Sequence, residues 1–422
     1  MSAVPPATVR SLQSSIAGIG RDTSRGGYSR PVYSTAELDL RGWFIAEAEA
    51  RGLEVEIDGN GIIWAWWDIP SRDRRGALVT GSHLDSVPGG GPFDGPLGVT
   101  SALVAVDLLR IRGHQPKTAI AIAVFPEEEG SRFGVACLGS RLLSGAIDPD
   151  RARNLKDADG ITFAERSARN GIDPARIGPD PARLAQIGAF LELHVEQGRG
   201  LIDLDQPVAI GSSILGHGRW RFSFTGQGNH AGTTLMTDRR DPMVAAASLV
   251  LGIRESASRV RGARATVGRL EPVPGGTNVI ASRVDLWLDA RHPDDEVTAA
   301  LVAAITDRAR EISAQYDCAI SVTEESLSAT TSFDPAYRRH LAGVLPAAPV
   351  IDTGAGHDAG VLAAALPTAM LFVRNPTGIS HSPEELVEDA DAEAGASALA
   401  DALASGQPRS GHPGPDTARS IV

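Results

Sequence analysis

The sequence predicts an α/β protein: a mixed sheet flanked by helices, with a smaller α+β segment inserted between its two halves. Three observations lead there. Apolar runs of strand length each end in a loop rich in His, Asp or Glu, with helical patterns between them. Residues 219–325 change rhythm, to alternating strands and two helices. The chain's 422 residues exceed one typical compact core, which favours two domains.

Taken in order, ALVT (77–80) leads into GSHLD, and TSALVAVDLLRI (100–111) has helical spacing. TAIAIAVF (118–125) leads into PEEEGSRF. Residues 151–188, with DADG and DPARIGPDPARL, read as short helices and turns. DADG is too short for a calcium loop, which needs further oxygen ligands and a distal Glu. AFLELHVEQG (189–198) carries His194 at the end of its apolar run. RWRFSFT (219–225), DPMVAAASLVLGIRE (241–255), RATVGRL (264–270), SRVDLWLDARH (282–292), DEVTAALVAAITDRAREISAQY (295–316) and CAISVTEES (318–326) then read β-α-β-β-α-β. That is the ferredoxin-like order, two helices on an antiparallel sheet. TAMLFVRN (368–375) leads into PTGISHSPEE, and DAEAGASALADALA (391–404) is a last helix. The expected divisions are 1–212 and 327–404 for the larger domain, 213–326 for the insertion, and 405–422, rich in Gly, Pro and Ser, as a disordered tail.

A net charge of −12 argues against nucleic acid or an anionic membrane as partner, because neither attracts an acidic surface. A small, locally recognised ligand is expected instead. No window approaches twenty apolar residues, and the opening MSAVPPATVRSLQSS lacks a basic stretch followed by an apolar core, so a soluble cytoplasmic protein is expected. Cys137 and Cys318, the two cysteines, make neither a CxxC pair nor a disulfide framework and read as small buried hydrophobes in a reducing compartment.

His83, Asp94, Glu129, His194 and His381 all fall at the ends of predicted strands, where ligands collect in α/β sheets. Imidazole and carboxylate without thiolate suit Zn²⁺, Mn²⁺ or Co²⁺ in an open catalytic site. Three histidines and two acids cannot fill two separate three-ligand sites, so one carboxylate must bridge, and Asp94 is the natural bridge. Asp85, two residues past His83, is placed to accept the other ring N–H of His83. Two metals about 3.5–4 Å apart would activate a water and polarise a carbonyl. A neighbouring Glu must then take the water's proton and pass it to the leaving nitrogen. Adjacent glutamates in EEE (127–129) can supply a ligand and a base, since neighbouring side chains point in different directions.

HLDSVPGGGPFDGPLGV, EEEGSRFG, LELHVEQG, GNHAGTT, TNVIASRVDLWLDARH, GAGHDA and HSPEE, in this order, resemble the dinuclear-metal amidohydrolases. These include N-carbamoyl-L-amino-acid hydrolases, allantoate amidohydrolases and β-ureidopropionases, and are related to zinc exopeptidases and aminoacylases. The resemblance runs from about residue 15 to residue 404. It implies a zinc-exopeptidase-like catalytic domain holding two divalent metals, Zn or Mn, with Co or Ni as further candidates. His83 and His194 would hold one metal and Glu129 and His381 the other, with Asp94 bridging. Glu128 would be the base and Glu127 a bystander. The insertion would be a lid and homodimerisation domain whose His230 stabilises the oxyanion, acting across the dimer or within one subunit. Asn278, Arg291 and Gln197 would bind a substrate carboxylate, and His357 would contact substrate or cap a helix. A bidentate Arg with an amide donor makes a good carboxylate clamp.

Pro92, Leu235 and Asp352-Thr353 depart from the family's usual residues near FDG, GTT and GAGHDA, which leaves the substrate open without removing a ligand. The expected reaction is cleavage of the C–N bond of a ureido or carbamoyl group on a carboxylate-bearing small molecule. A dipeptidase or aminoacylase is the second reading, and a catalytically silent metal-dependent binding protein the third. GGG at 89–91 is not a P-loop, since no Lys-Ser or Lys-Thr follows.

Overall fold

The computed structural model describes residues 7–407; most of the expected tail lies outside them. The chain divides into two compact units, one made of residues up to Ser212 with those from Ser332, the other of Ser213–Thr331. Among the described residues the strands are β1 (Glu54–Ile57), β2 (Ile63–Trp67), β3 (Ala77–His83), β4 (Ile120–Phe125), β5 (Ile187–Val195), β6 (Val208–Ile214), β7 (Gly216–Thr225), β8 (Asn229–His230), β9 (Arg264–Val273), β10 (Val279–Ile280), β11 (Arg283–His292), β12 (Ala319–Ser328), β13 (Thr331–Ser332), β14 (Val350–Thr353) and β15 (Thr368–Val373).

The larger unit is built on a mixed sheet ordered β1-β2-β4-β3-β5-β15-β6-β13, with β14 also on β6. Its centre, β4-β3-β5-β15, is parallel, and β2 and β6 flank it antiparallel. Every residue of β3, β4 and β15 is buried, as continuous apolar strands covered on both faces should be. Ile120, Ile122 and Val124 face a core shared with the helices Pro96–Ile111 and Asp389–Ser405. On the other face Phe125 packs edge-on against Trp64 and Phe190. Each such fully buried side chain contributes roughly 1.5–3 kcal/mol.

Because the four central strands are parallel, His83, the Pro126–Glu129 turn after β4, His194 near the end of β5 and the loop after β15 meet at one edge of the sheet. Two glycines make the approach possible. Gly95 precedes the helix Pro96–Ile111 at φ +84, and a Cβ there would lie 2.5 Å from the His83 ring. At Gly98 a Cβ would come 2.3 Å from Leu193 O, so the helix lies directly on β5.

In the second unit the sheet runs β12-β7-β11-β9, all antiparallel. Trp220, Phe222 and Phe224 alternate inward along β7 onto the helices Pro242–Ser258 and Asp295–Gln315. Asp241 and Asp294 cap those helices through the amides of Met243 and Glu296. The unit extends to Thr331, past residue 326, because β12 itself continues to Ser328. No helix among the described residues is long and apolar enough to cross a membrane.

Candidate metal centre

Asp94 stands between two histidine groups. Its Oδ1 lies 3.2 Å from His194 Nε2 and 3.5 Å from His83 Nε2, while Oδ2 lies 3.3 Å from His381 Nε2. The same His381 nitrogen is 3.4 Å from Glu129 Oε2. Two sets of possible ligand atoms result, His83–Asp94–His194 and Asp94–Glu129–His381, each within 4.8 Å.

Tautomers decide whether these sets fit a cation. His83 Nδ1 lies 3.0 Å from Asp85 O, and His194 Nδ1 3.0 Å from Val195 O. A carbonyl only accepts, so each neutral ring carries its proton on Nδ1 and leaves a bare lone pair on Nε2. Both Nε2 atoms are buried without a hydrogen-bond partner, and both face a carboxylate oxygen, another lone-pair donor. Only a proton or a metal cation between them reconciles this. Burial opposes charge on Asp94, yet His194, His381 and His83, when protonated, hold its carboxyl well below the usual range. Burial raises the neighbouring carboxyls, Glu128 well above its ordinary value and Glu129 to about 7. So many buried acids at one edge call for bound positive charge. The donor set therefore fits a pair of divalent metals with N and O ligands.

Asp85 differs from expectation. Its carboxylate oxygen lies 3.7 Å from His83 Nδ1, too far for a hydrogen bond, and its backbone carbonyl serves the ring instead. The carboxylate accepts from the amides of Glu128 (3.2 Å) and Glu129 (3.1 Å), fixing the turn that carries both. Glu127 is likewise no bystander to the loop. Fully buried, its Oε1 accepts from the amides of Arg132 (2.9 Å) and Phe133.

Gln197 is expected to touch substrate, but its Nε2 donates to Asp94 Oδ2 (3.0 Å) and Ser380 Oγ (2.9 Å). His357 makes no side-chain cap on the helix Asp358–Leu362 that follows it. Its ring is buried, neither nitrogen has a hydrogen-bond partner, and its centroid is 4.4 Å from that of His194. Burial, then His194, pushes its pKa well down, so the ring is neutral.

The remaining expected residues lie in the second unit. His230 pairs in register with Val279, beside Asn278, whose carbonyl accepts from Ala231 N (3.0 Å). Arg291 lies near the far end of β11, bidentate on Asp289 at 2.7 and 3.0 Å. Asn278 precedes the other end of that strand, Arg283, which lies on the order of 25 Å from Arg291 along the strand.

Glu385, in HSPEE, carries no role in the sequence reading, yet its buried Oε1 accepts from Phe93 N (2.8 Å) and Asp94 N (3.0 Å). In the sequence only its place in the same motif as His381 points to it. Glu385→Ala would strand two inward amides and should cost about 1–3 kcal/mol of stability while weakening metal retention. Calorimetry with metal analysis checks this; unchanged melting and metal content would contradict it.

The model of the family described as Peptidase family M20/M25/M40 matches residues 79–405. The N-carbamoyl-L-amino acid amidohydrolase of Geobacillus stearothermophilus is 35% identical over 385 residues, covering 90% of this chain and 93% of that protein. The allantoate amidohydrolase of Escherichia coli (strain K12) is 30% identical over 397 residues, with 91% and 94% covered. Among solved structures, an amidase of the hydantoinase/carbamoylase family from Burkholderia multivorans superposes with a TM-score of 0.85 at 31% identity, covering 95% of this chain and 98% of that one. The chain belongs to peptidase family M20/M25/M40, in the hydrolase group that holds the N-carbamoyl-L-amino-acid and allantoate amidohydrolases.

Proposed function

We propose that the chain is a dinuclear-metal amidohydrolase that cleaves the C–N bond of a ureido or carbamoyl group on a carboxylate-bearing small molecule, of the N-carbamoyl-L-amino-acid or allantoate type. The observation that carries this reading is Asp94 standing between the two histidine groups, with a buried glutamate, Glu128, beside them. His83 and His194 would hold one metal and Glu129 and His381 the other, with Asp94 available to both; zinc and manganese would suit these ligands best, with cobalt or nickel as further candidates. When bound, such metals supply Lewis acidity that lowers the pKa of water and polarises a carbonyl.

The chain's own groups do the rest. Glu128 takes the attacking water's proton at Oε2, the oxygen facing His83, and returns it to the leaving nitrogen. Its burial favours the protonated form and so helps it hold that proton between the two transfers. Gln197 and Glu385 orient Asp94 by side chain and backbone respectively. His230 donates to the developing oxyanion, and Arg291 and Asn278 bind the substrate carboxylate, the two coming from different copies of a homodimer whose second unit serves as lid and interface. Two unpaired cysteines accord with a cytoplasmic setting.

Ammonia release by the Mn²⁺- or Zn²⁺-loaded protein from N-carbamoyl-L-amino acids, β-ureidopropionate and allantoate tests the reading, with dipeptides and N-acyl amino acids followed by their amine products. Release from a ureido compound, lost on chelation, is expected. Cleavage of peptide or acyl bonds alone would move the substrate to the dipeptidase or aminoacylase class, and no cleavage of any of them would favour a binding protein.

A further inference from the structure

We infer that Cys137 is a positioning residue that orients the Glu128 carboxylate through a thiol hydrogen bond; the inference rests on the reading of Glu128 as proton carrier. Cys137 Sγ donates to Glu128 Oε1 at 3.3 Å. The other oxygen, Oε2, lies 3.6 Å from His83 Nε2. One oxygen is thus tied to the wall of the site while the other faces the ligands, which selects a single rotamer for the base. Among the described residues the thiol is the one hydrogen-bond donor to this carboxylate.

The backbone holds the thiol in place. Cys137 N donates to Glu128 O (2.7 Å), Leu138 N to Glu127 O (3.1 Å) and Gly139 N to Pro126 O (3.1 Å), so three successive amides read the turn that carries the base. Cys137 itself sits at φ +53, a left-handed conformation that side-chain-bearing residues seldom take. Cys137 is 3% exposed and Glu128 5%, which leaves no ready access for a water to replace the donor. Burial, then Glu128 and Asp358, raises the thiol well above its ordinary range, so it keeps its proton. A thiol is a weak donor, but low-dielectric surroundings strengthen the bond.

The test uses the metal-loaded full chain and whichever of an N-carbamoyl-L-amino acid or allantoate it turns over. Cys137→Ala removes the donor and Cys137→Ser keeps one. Alanine should lower kcat about tenfold with KM held within about twofold and metal content unchanged, while serine retains most of the wild-type kcat. Cys137→Gly, suited to the left-handed backbone, takes alanine's place if that variant does not fold. Undiminished kcat without the donor, serine falling as far as alanine, or a loss seen in KM or metal content instead would overturn the inference. If Glu128→Gln keeps full activity, the reading of Glu128 fails first. If Glu128→Gln is inactive while the donor-free variants are not, only the role of the thiol fails.

Discussion

Glu128→Gln should lower kcat on a ureido substrate about 10³-fold while leaving the metal content at the wild-type level. The amide has nearly the carboxylate's shape, so packing against Cys137 and His83 is preserved, but it cannot accept the water's proton. The ligand atoms of Asp94, Glu129 and the three histidines are untouched by the change. Single-turnover rates and metal analysis of the same sample check both halves. Full activity would remove Glu128 from the reaction, and loss of metal together with activity would make it a ligand instead of a base.

The candidate metal centre is legible because its residues are local features that the sheet topology then gathers. Each lies at the end of, or after, a strand whose apolar run is visible in the sequence, and parallel pairing of β4, β3, β5 and β15 brings their carboxyl ends together. The second unit was legible for a related reason, since alternation along RWRFSFT and SRVDLWLDARH matches inward side chains of β7 and β11. What escaped were contacts set by exact backbone direction. Asp85 is two residues from His83, yet its carboxylate turns to the amides of Glu128 and Glu129, a choice that spacing does not encode. Glu385 supports Asp94 across 291 positions of sequence. The strand β2, IWAWW, is not legible in the sequence, because a short apolar run reads equally well as buried helix or strand.

The split between Asn278 and Arg291 carries the second large effect. Arg291 lies near one end of β11 and Asn278 precedes the other, so a substrate carboxylate bound by both is expected to be shared between two copies. Arg291→Ala and Asn278→Ala homodimers should each lose activity, the arginine variant by about a hundredfold, because a charged partner is removed from an enclosed carboxylate. Mixed after reversible dissociation, the two inactive proteins should regain about a quarter of the wild-type activity, since random pairing makes half the dimers mixed and each mixed dimer keeps one intact site. Size-exclusion and mass measurements on tagged copies establish the subunit exchange independently. If exchange is complete and activity stays at the level of the parents, the clamp is not divided between copies. Arg291 would then remain what its bidentate bond shows in the isolated chain, the partner of Asp289 on the same strand.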